Sequence, residues 1–204
     1  MASEVGICNE ALSEIGGASI LALDQDDKNA RECNKRYASL RDKLLRAHPW
    51  NFAVARAKLG QLSAAPTYEF DFAYQLPSDW LRTLSVHDND AGAASVEYRI
   101  EGRKMLSSAD ELWLRYVRRV TDPNEFDELF MEALIFRLAW ALAQALTQSS
   151  TLEELKRKAF EATMRKARGV DAQEDFAEAL PEGSWVTDRG GAFRRDRTGG
   201  SENL

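Results

Sequence analysis

The spacing of apolar residues changes twice along this chain, and that double change constrains the fold more than any motif does. Near the N-terminus, Val5, Cys8, Leu12 and Ile15 recur at intervals of three and four, the mark of one helical face. Gly16-Gly17 ends that helix. A second stripe runs Ala30, Cys33, Tyr37, Leu40, Leu44 and Ala47, with Asp24 or Asp27 able to cap its start and Pro49 stopping it. From Tyr68 the period becomes two: Tyr68, Phe70, Phe72 and Tyr74 alternate with Glu69, Asp71 and Ala73, which predicts a strand with one wet face. Thr83 to His87 is a second strand candidate. Ser95 to Ile100 and Arg103 to Leu106 flank Glu101-Gly102 as a hairpin, where glycine supplies a positive φ.

The last strand candidate is Leu112 to Val120, with mixed faces and Arg118 expected at a sheet edge, its stem reaching water. The helical period then returns. Asp122-Pro123 predicts a helix start, and Asn124 to Leu146 is apolar around most of its circumference, as a central helix is. Thr151 and Glu154 have capping-box spacing ahead of a final stripe at Leu152, Leu155, Ala159 and Ala162, which Gly169 is expected to end.

Helices at both ends and strands between them predict an α+β protein: mainly an α-helical bundle with a small inserted antiparallel β subdomain and a flexible C-terminal extension. The expected boundaries are 1–64 for the N-terminal helices, 65–121 for the β insert, 122–179 for the C-terminal helices and 180–204 for the extension. Aromatics beside helix ends and turns, Trp50, Phe52 and Trp80, are expected to anchor them, and Phe136 and Trp140 to fill the bundle core with Leu40 and Leu44.

The extension combines glycines at 183, 190, 191, 199 and 200 with Trp185, Val186, Arg189, Phe193, Arg194 and Arg195. Ordering so many glycines costs backbone entropy, whereas the aromatics are costly to leave in water. Together they predict a segment that orders on a partner, the alternative being a terminus that lies back on its own domain.

The net charge of -6 argues against broad non-specific binding to nucleic acid, without excluding a local basic patch. The six basic residues Arg31, Lys35, Arg36, Arg41, Lys43 and Arg46 of the second helix could contact nucleic acid, but with Glu32 and Asp42 in the same segment and an acidic total the expectation is a protein–protein or intra-fold role. Cys8 and Cys33 both fall on apolar helix faces and are expected to be buried free thiols in a reducing compartment. The chain opens Met1-Ala2-Ser3-Glu4, with no basic-then-apolar leader. Its most apolar stretch, 129–146, is interrupted by Glu132, Arg137 and Gln144 and is not expected to enter a membrane.

No catalytic set is evident. His48 and His87 fall in different predicted substructures and make no zinc spacing with the cysteines. There is no P-loop, dinucleotide fingerprint or nucleophile elbow. The acidic clusters at 26–27 and 127–128 fall at predicted helix starts, where negative charge is favourable. Asp88 and Asp90 read as a solvated loop. The expectation is therefore a non-enzyme with no cofactor and no metal.

One ordered series of short patterns is informative as a whole. It runs Cys8-Asn9-Glu10-Ala11-Leu12 and Ile15-Gly16, then an acid-rich helix start at Asp24, then Pro49-Trp50-Asn51-Phe52-Ala53. It continues with Tyr74-Gln75-Leu76-Pro77-Ser78-Asp79-Trp80-Leu81, Leu114-Arg115-Tyr116-Val117, and Asp122-Pro123 with Phe126 before an alanine-rich helix. Over about residues 5–170 this resembles the head-to-tail connector adaptors of tailed bacteriophages, the family that includes the tail tubular protein A of short-tailed phages. The resemblance implies a homo-oligomeric, dodecameric ring beneath the portal protein, joined to a further tail protein of the nozzle or tube and surrounding the passing genomic DNA without binding it specifically. It also implies a place in the virion tail connector after synthesis in the host cytoplasm, and it makes the portal the partner of Trp185, Val186, Arg189, Phe193, Arg194 and Arg195. The competing readings are a peptidoglycan-degrading tail protein and a nucleic-acid-binding module acting through the second helix.

Overall fold

Each helix begins where a short polar side chain can satisfy its free N–H groups. The Ser3 hydroxyl accepts from the Gly6 N–H and opens α1, Glu4–Ser13. Asp27 accepts from the N–H groups of Asn29 and Ala30 and opens α2, Lys28–Ala47. Asp127 does the same for α3, Glu128–Thr147, through Leu129 and Phe130. α4 covers Ser150–Glu174, and its cap is the Ser149 hydroxyl, which accepts from Leu152 N–H, not Thr151. A computed structural model describes residues 2–92 and 95–174.

Six strands lie between α2 and α3: β1 Val54–Lys58, β2 Phe72–Gln75, β3 Trp80–His87, β4 Arg99–Glu101, β5 Lys104–Ser107 and β6 Trp113–Arg118. They form two antiparallel three-stranded sheets, ordered β1-β6-β3 and β2-β5-β4. The expectation of a mainly helical bundle with one small sheet is therefore corrected: four helices and two sheets make a mixed fold among the described residues. The first strand also starts at Val54, upstream of the expected insert at 65. Its signal in the sequence is muted, because the apolar face of Val54-Ala55-Arg56-Ala57-Lys58 is two alanines.

Because β6 pairs with β1 on one side and β3 on the other, it is a central strand, which explains its two semi-apolar faces. Val117 enters the main core with the helices, whereas Leu114 and Tyr116 enter a second core. Arg118 is accordingly not at a sheet edge. It sits at the end of the central strand and pairs with Glu125 at 2.5 Å.

The main core is built by α1, α2 and α3 in mutual contact, with Met164 and Ala167 of α4 also buried in it. The second core, between the sheets, is smaller: Leu59, Tyr74, Leu76, Val86, Met105, Leu112, Leu114 and Tyr116. Met1–Ala172 make one compact unit; of the second, Gln173–Leu204, only the end of α4 is described.

Four further expectations are corrected by local geometry. Tyr68 and Phe70 lie outside the strand they were expected to start, because Glu69 takes a left-handed φ of 74° and breaks the extended run. Pro123–Glu125 forms only a 3-10 turn, since Phe126 returns to extended backbone and Asp127 caps anew. α4 continues through Gly169 to Glu174. The hairpin expected from 95 is shorter, β4 to β5, although Gly102 does take its positive φ of 60°.

Candidate functional site

The chemically capable side chains are mostly committed to structure. Cys8 and Cys33 are free, fully buried and hydrogen-bonded to each other across α1 and α2. That bond, then burial, holds the Cys8 thiol far above its usual range, while the same bond draws the Cys33 thiol downward against its burial. His48 stands edge-on to Trp50 at 5.1 Å, and His87 lies on β3 opposite Trp113. Among the described residues no group of three or more His, Cys, Asp or Glu side chains could hold a metal ion. The acidic clusters are used locally: Asp26 pairs with Arg31, Asp27 and Asp127 cap helices, Asp88 accepts from Asn89, and Glu111 pairs with Lys58. Asp122 and Glu154 are both displaced downward, by the Asn124 N–H and by Lys158 respectively. A general acid needs displacement the other way.

Of the five expected anchors, Trp50 is fully buried. Its indole N–H donates to the Leu44 carbonyl at 3.1 Å, and its ring meets Phe130 edge-on at 5.1 Å. Phe52 is half-buried against Phe126 and Phe130. Trp80 is half-buried, with its N–H on the Thr83 hydroxyl and Arg46 over its ring. Phe136 and Trp140 are also only half-buried, unlike Leu40 and Leu44. α3 turns Phe130, Ala133, Leu134, Leu138 and Leu142 to the core, while Trp140 meets Phe160 of α4 and the Arg137 guanidinium lies over its ring at 4.1 Å. Trp185, Val186, Arg189, Phe193, Arg194 and Arg195 lie outside the described residues.

The six basic residues of α2 separate into two groups. Arg31 pairs with Asp26, Arg36 with Glu32, Arg41 with Asp42, and Arg46 donates to the Leu81 carbonyl. Lys35 and Lys43 are exposed without an ion pair among the described residues, as is Lys28. Spacings of seven and eight residues put these three lysines in one line along the helix.

A groove of about 380 Å³ runs between α1 and α3. Gly6, Ile7, Met131 and Ile135 form its floor, and the exposed carboxylates of Glu10, Glu128 and Glu132 stand along its rim. Since α1, α2 and α3 touch one another pairwise, this groove opens on the side of the three-helix unit away from the outer face of α2. The groove has no local signature in the sequence, because its rim residues are scattered over two distant segments. No protein-family model matches the chain, and no curated protein matches it.

Proposed function

We propose that this chain is a structural adaptor whose copies close into a ring between a phage portal and the rest of the tail, around the DNA channel. The observation that carries the reading is the placement of two complementary surfaces on opposite sides of one helical unit, the carboxylate-rimmed groove of α1 and α3 and the lysine line of α2. A closed ring of identical subunits needs such a pair of different, matching faces on each copy. The resemblance over about residues 5–170 supplies the partners: the portal, and a further tail protein on the opposite side. In this reading the stretch 180–204 attaches to the portal through Trp185, Val186 and Phe193, with Arg189, Arg194 and Arg195 pairing with carboxylates.

The test is the mass of the assembly formed by the purified chain with and without its portal ring. The expected result is a closed ring of this chain on the portal. Glu10→Lys with Glu132→Lys should prevent it, as should Lys35→Glu with Lys43→Glu, and a mixture of the two doubly substituted chains should recover paired contacts. Unchanged mass in the presence of the portal would overturn the reading.

A further inference from the structure

One face of the first sheet gathers several cationic side chains, two of them directly opposite each other. The register places Arg56, Arg115 and Ser85 side by side across β1, β6 and β3, and Lys58, Trp113 and His87 in the next row. Side chains directly opposite in antiparallel strands share a face. At one end of this face Val117 joins the main core with the helices.

Two features of these rows are hard to reconcile with a purely structural role. Arg56 and Arg115 are like charges directly opposite one another, an arrangement that destabilises a sheet, and neither has an ion pair among the described residues. The Arg115 Nε and the Trp113 Nε1 are both buried donors with no acceptor. Such atoms are rare in folded proteins, and these two fall two residues apart on the same face of the same strand. Glu111 is paired with Lys58 at 2.6 Å, and the Lys58 ammonium also lies 5.2 Å from the Trp113 ring centre. Exposed Arg56 and Lys58 keep the patch open to solvent, and Arg82 adds a further exposed cation on β3.

We propose that this face binds the phosphate groups of a nucleic-acid backbone. Guanidinium groups in a row match phosphate oxygens by paired N–H donors, and an external oxyanion would neutralise the Arg56–Arg115 pair. Several cations spread over two rows suit a strand with repeating phosphates better than a single small anion. The remaining acidity of the chain keeps such binding weak and dependent on salt. The site stands on the sheet geometry alone and does not rest on the ring reading. It also differs from the second helix as a nucleic-acid surface, since four of the six basic residues there are engaged within the fold.

The experiment is fluorescence anisotropy of a short labelled DNA duplex with the full chain at about 50 and 200 mM salt, with a polyglutamate peptide as the second probe. The duplex should bind at the lower salt and weaken steeply at the higher. Arg56→Gln should reduce the slope of log affinity against log salt by about 1, and Arg56→Gln with Arg115→Gln by about 2. Lys166→Gln, at an exposed lysine of α4 outside these rows, should leave the slope unchanged. Thermal unfolding accompanies each variant, and Arg56→Gln should keep or raise the midpoint because a like-charge contact is removed. Absence of duplex binding at the lower salt would overturn the proposal, as would a slope unaffected by Arg56→Gln. Equal or tighter binding of polyglutamate would assign the face to an acidic protein partner instead. A lowered midpoint for Arg56→Gln would make the pair structural.

Discussion

The helical core and the sheet lobe bury their polar atoms differently. In the helical core the side chain of Asn9 both donates to the Ile20 carbonyl and accepts from its N–H, at 2.9 and 2.8 Å, closing the link between α1 and α2. The Trp50 indole is likewise satisfied inside the core. In the sheet lobe, Tyr74 and Tyr116 place their hydroxyls on the Ala109 carbonyl and the Asp79 carboxylate, yet the Trp113 indole N–H and the Arg115 Nε, on the face of the first sheet opposite Tyr116, have no acceptor. Buried polar groups are normally paired because desolvation is costly. The contrast locates the main departure from self-sufficiency on one sheet face.

The largest effect should come from the helical core. Phe130 is fully buried and touches Trp50, Phe52 and Phe126, so Phe130→Ala should cost about 3–5 kcal/mol. A lowered urea midpoint with unchanged slope checks it; an unchanged midpoint would remove this residue from the centre of the fold. In the smaller core, Met105 is also fully buried, and Met105→Ala should cost about 2–3 kcal/mol, because a thin core relaxes further around a cavity. The first sheet contributes to both cores, so helix-sensitive circular dichroism and tryptophan fluorescence should report one coincident transition. Separate transitions would break the comparison, making the sheet lobe an independent unit. Trp140→Ala should cost only about 1–2 kcal/mol, since the side chain is half-exposed and loses mainly Phe160, the Arg137 contact and a hydrogen bond to Glu153 at 3.2 Å. A loss as large as that of Phe130→Ala would put α4 in the core on equal terms with the other helices.

What could be read in the sequence divides along the same line. The stripes of α1 and α2 are legible because each helix buries one face against a large partner: Cys8, Leu12, Cys33, Tyr37 and Leu44 are all buried as their spacing implies. α3 misled for a physical reason. It is apolar nearly all round, so periodicity could not say which side faces the core, and the large Phe136 and Trp140 turned out to meet its periphery while small Ala133 and Ala139 are fully buried. β1 escaped notice because alanine carries too little hydrophobic contrast, and with it went the register that brings Arg56 opposite Arg115. Two arginines 59 positions apart in sequence have no local signature of their pairing. The groove rim at Glu10, Glu128 and Glu132 was hidden for the same reason: each glutamate alone looks like an ordinary solvated helix position.

The smallest effect sharpens the comparison from the other side, because the helical core has one unsatisfied donor of its own. The Tyr37 hydroxyl is buried without a partner, with Arg41 near its ring at 6.0 Å. Tyr37→Phe removes an unpaired polar atom and little volume, so stability should rise by up to about 1 kcal/mol. Burial first, and then the nearby Glu4 carboxylate, push the Tyr37 phenol above its ordinary range, against a smaller opposing pull from Arg41. A phenol raised in the folded state favours folding fully while both states are protonated. That contribution is lost as pH rises past the unfolded value of about 10. The wild-type chain should therefore lose stability above about pH 10 more steeply than Tyr37→Phe, with Tyr74 and Tyr116, also raised by burial, giving a loss common to both chains. Urea midpoints of the two chains from neutral to alkaline pH measure the difference directly. Parallel curves would show that the Tyr37 hydroxyl reaches water, which would leave the sheet face as the one place among the described residues where a buried side-chain N–H on an aromatic or guanidinium group goes unanswered.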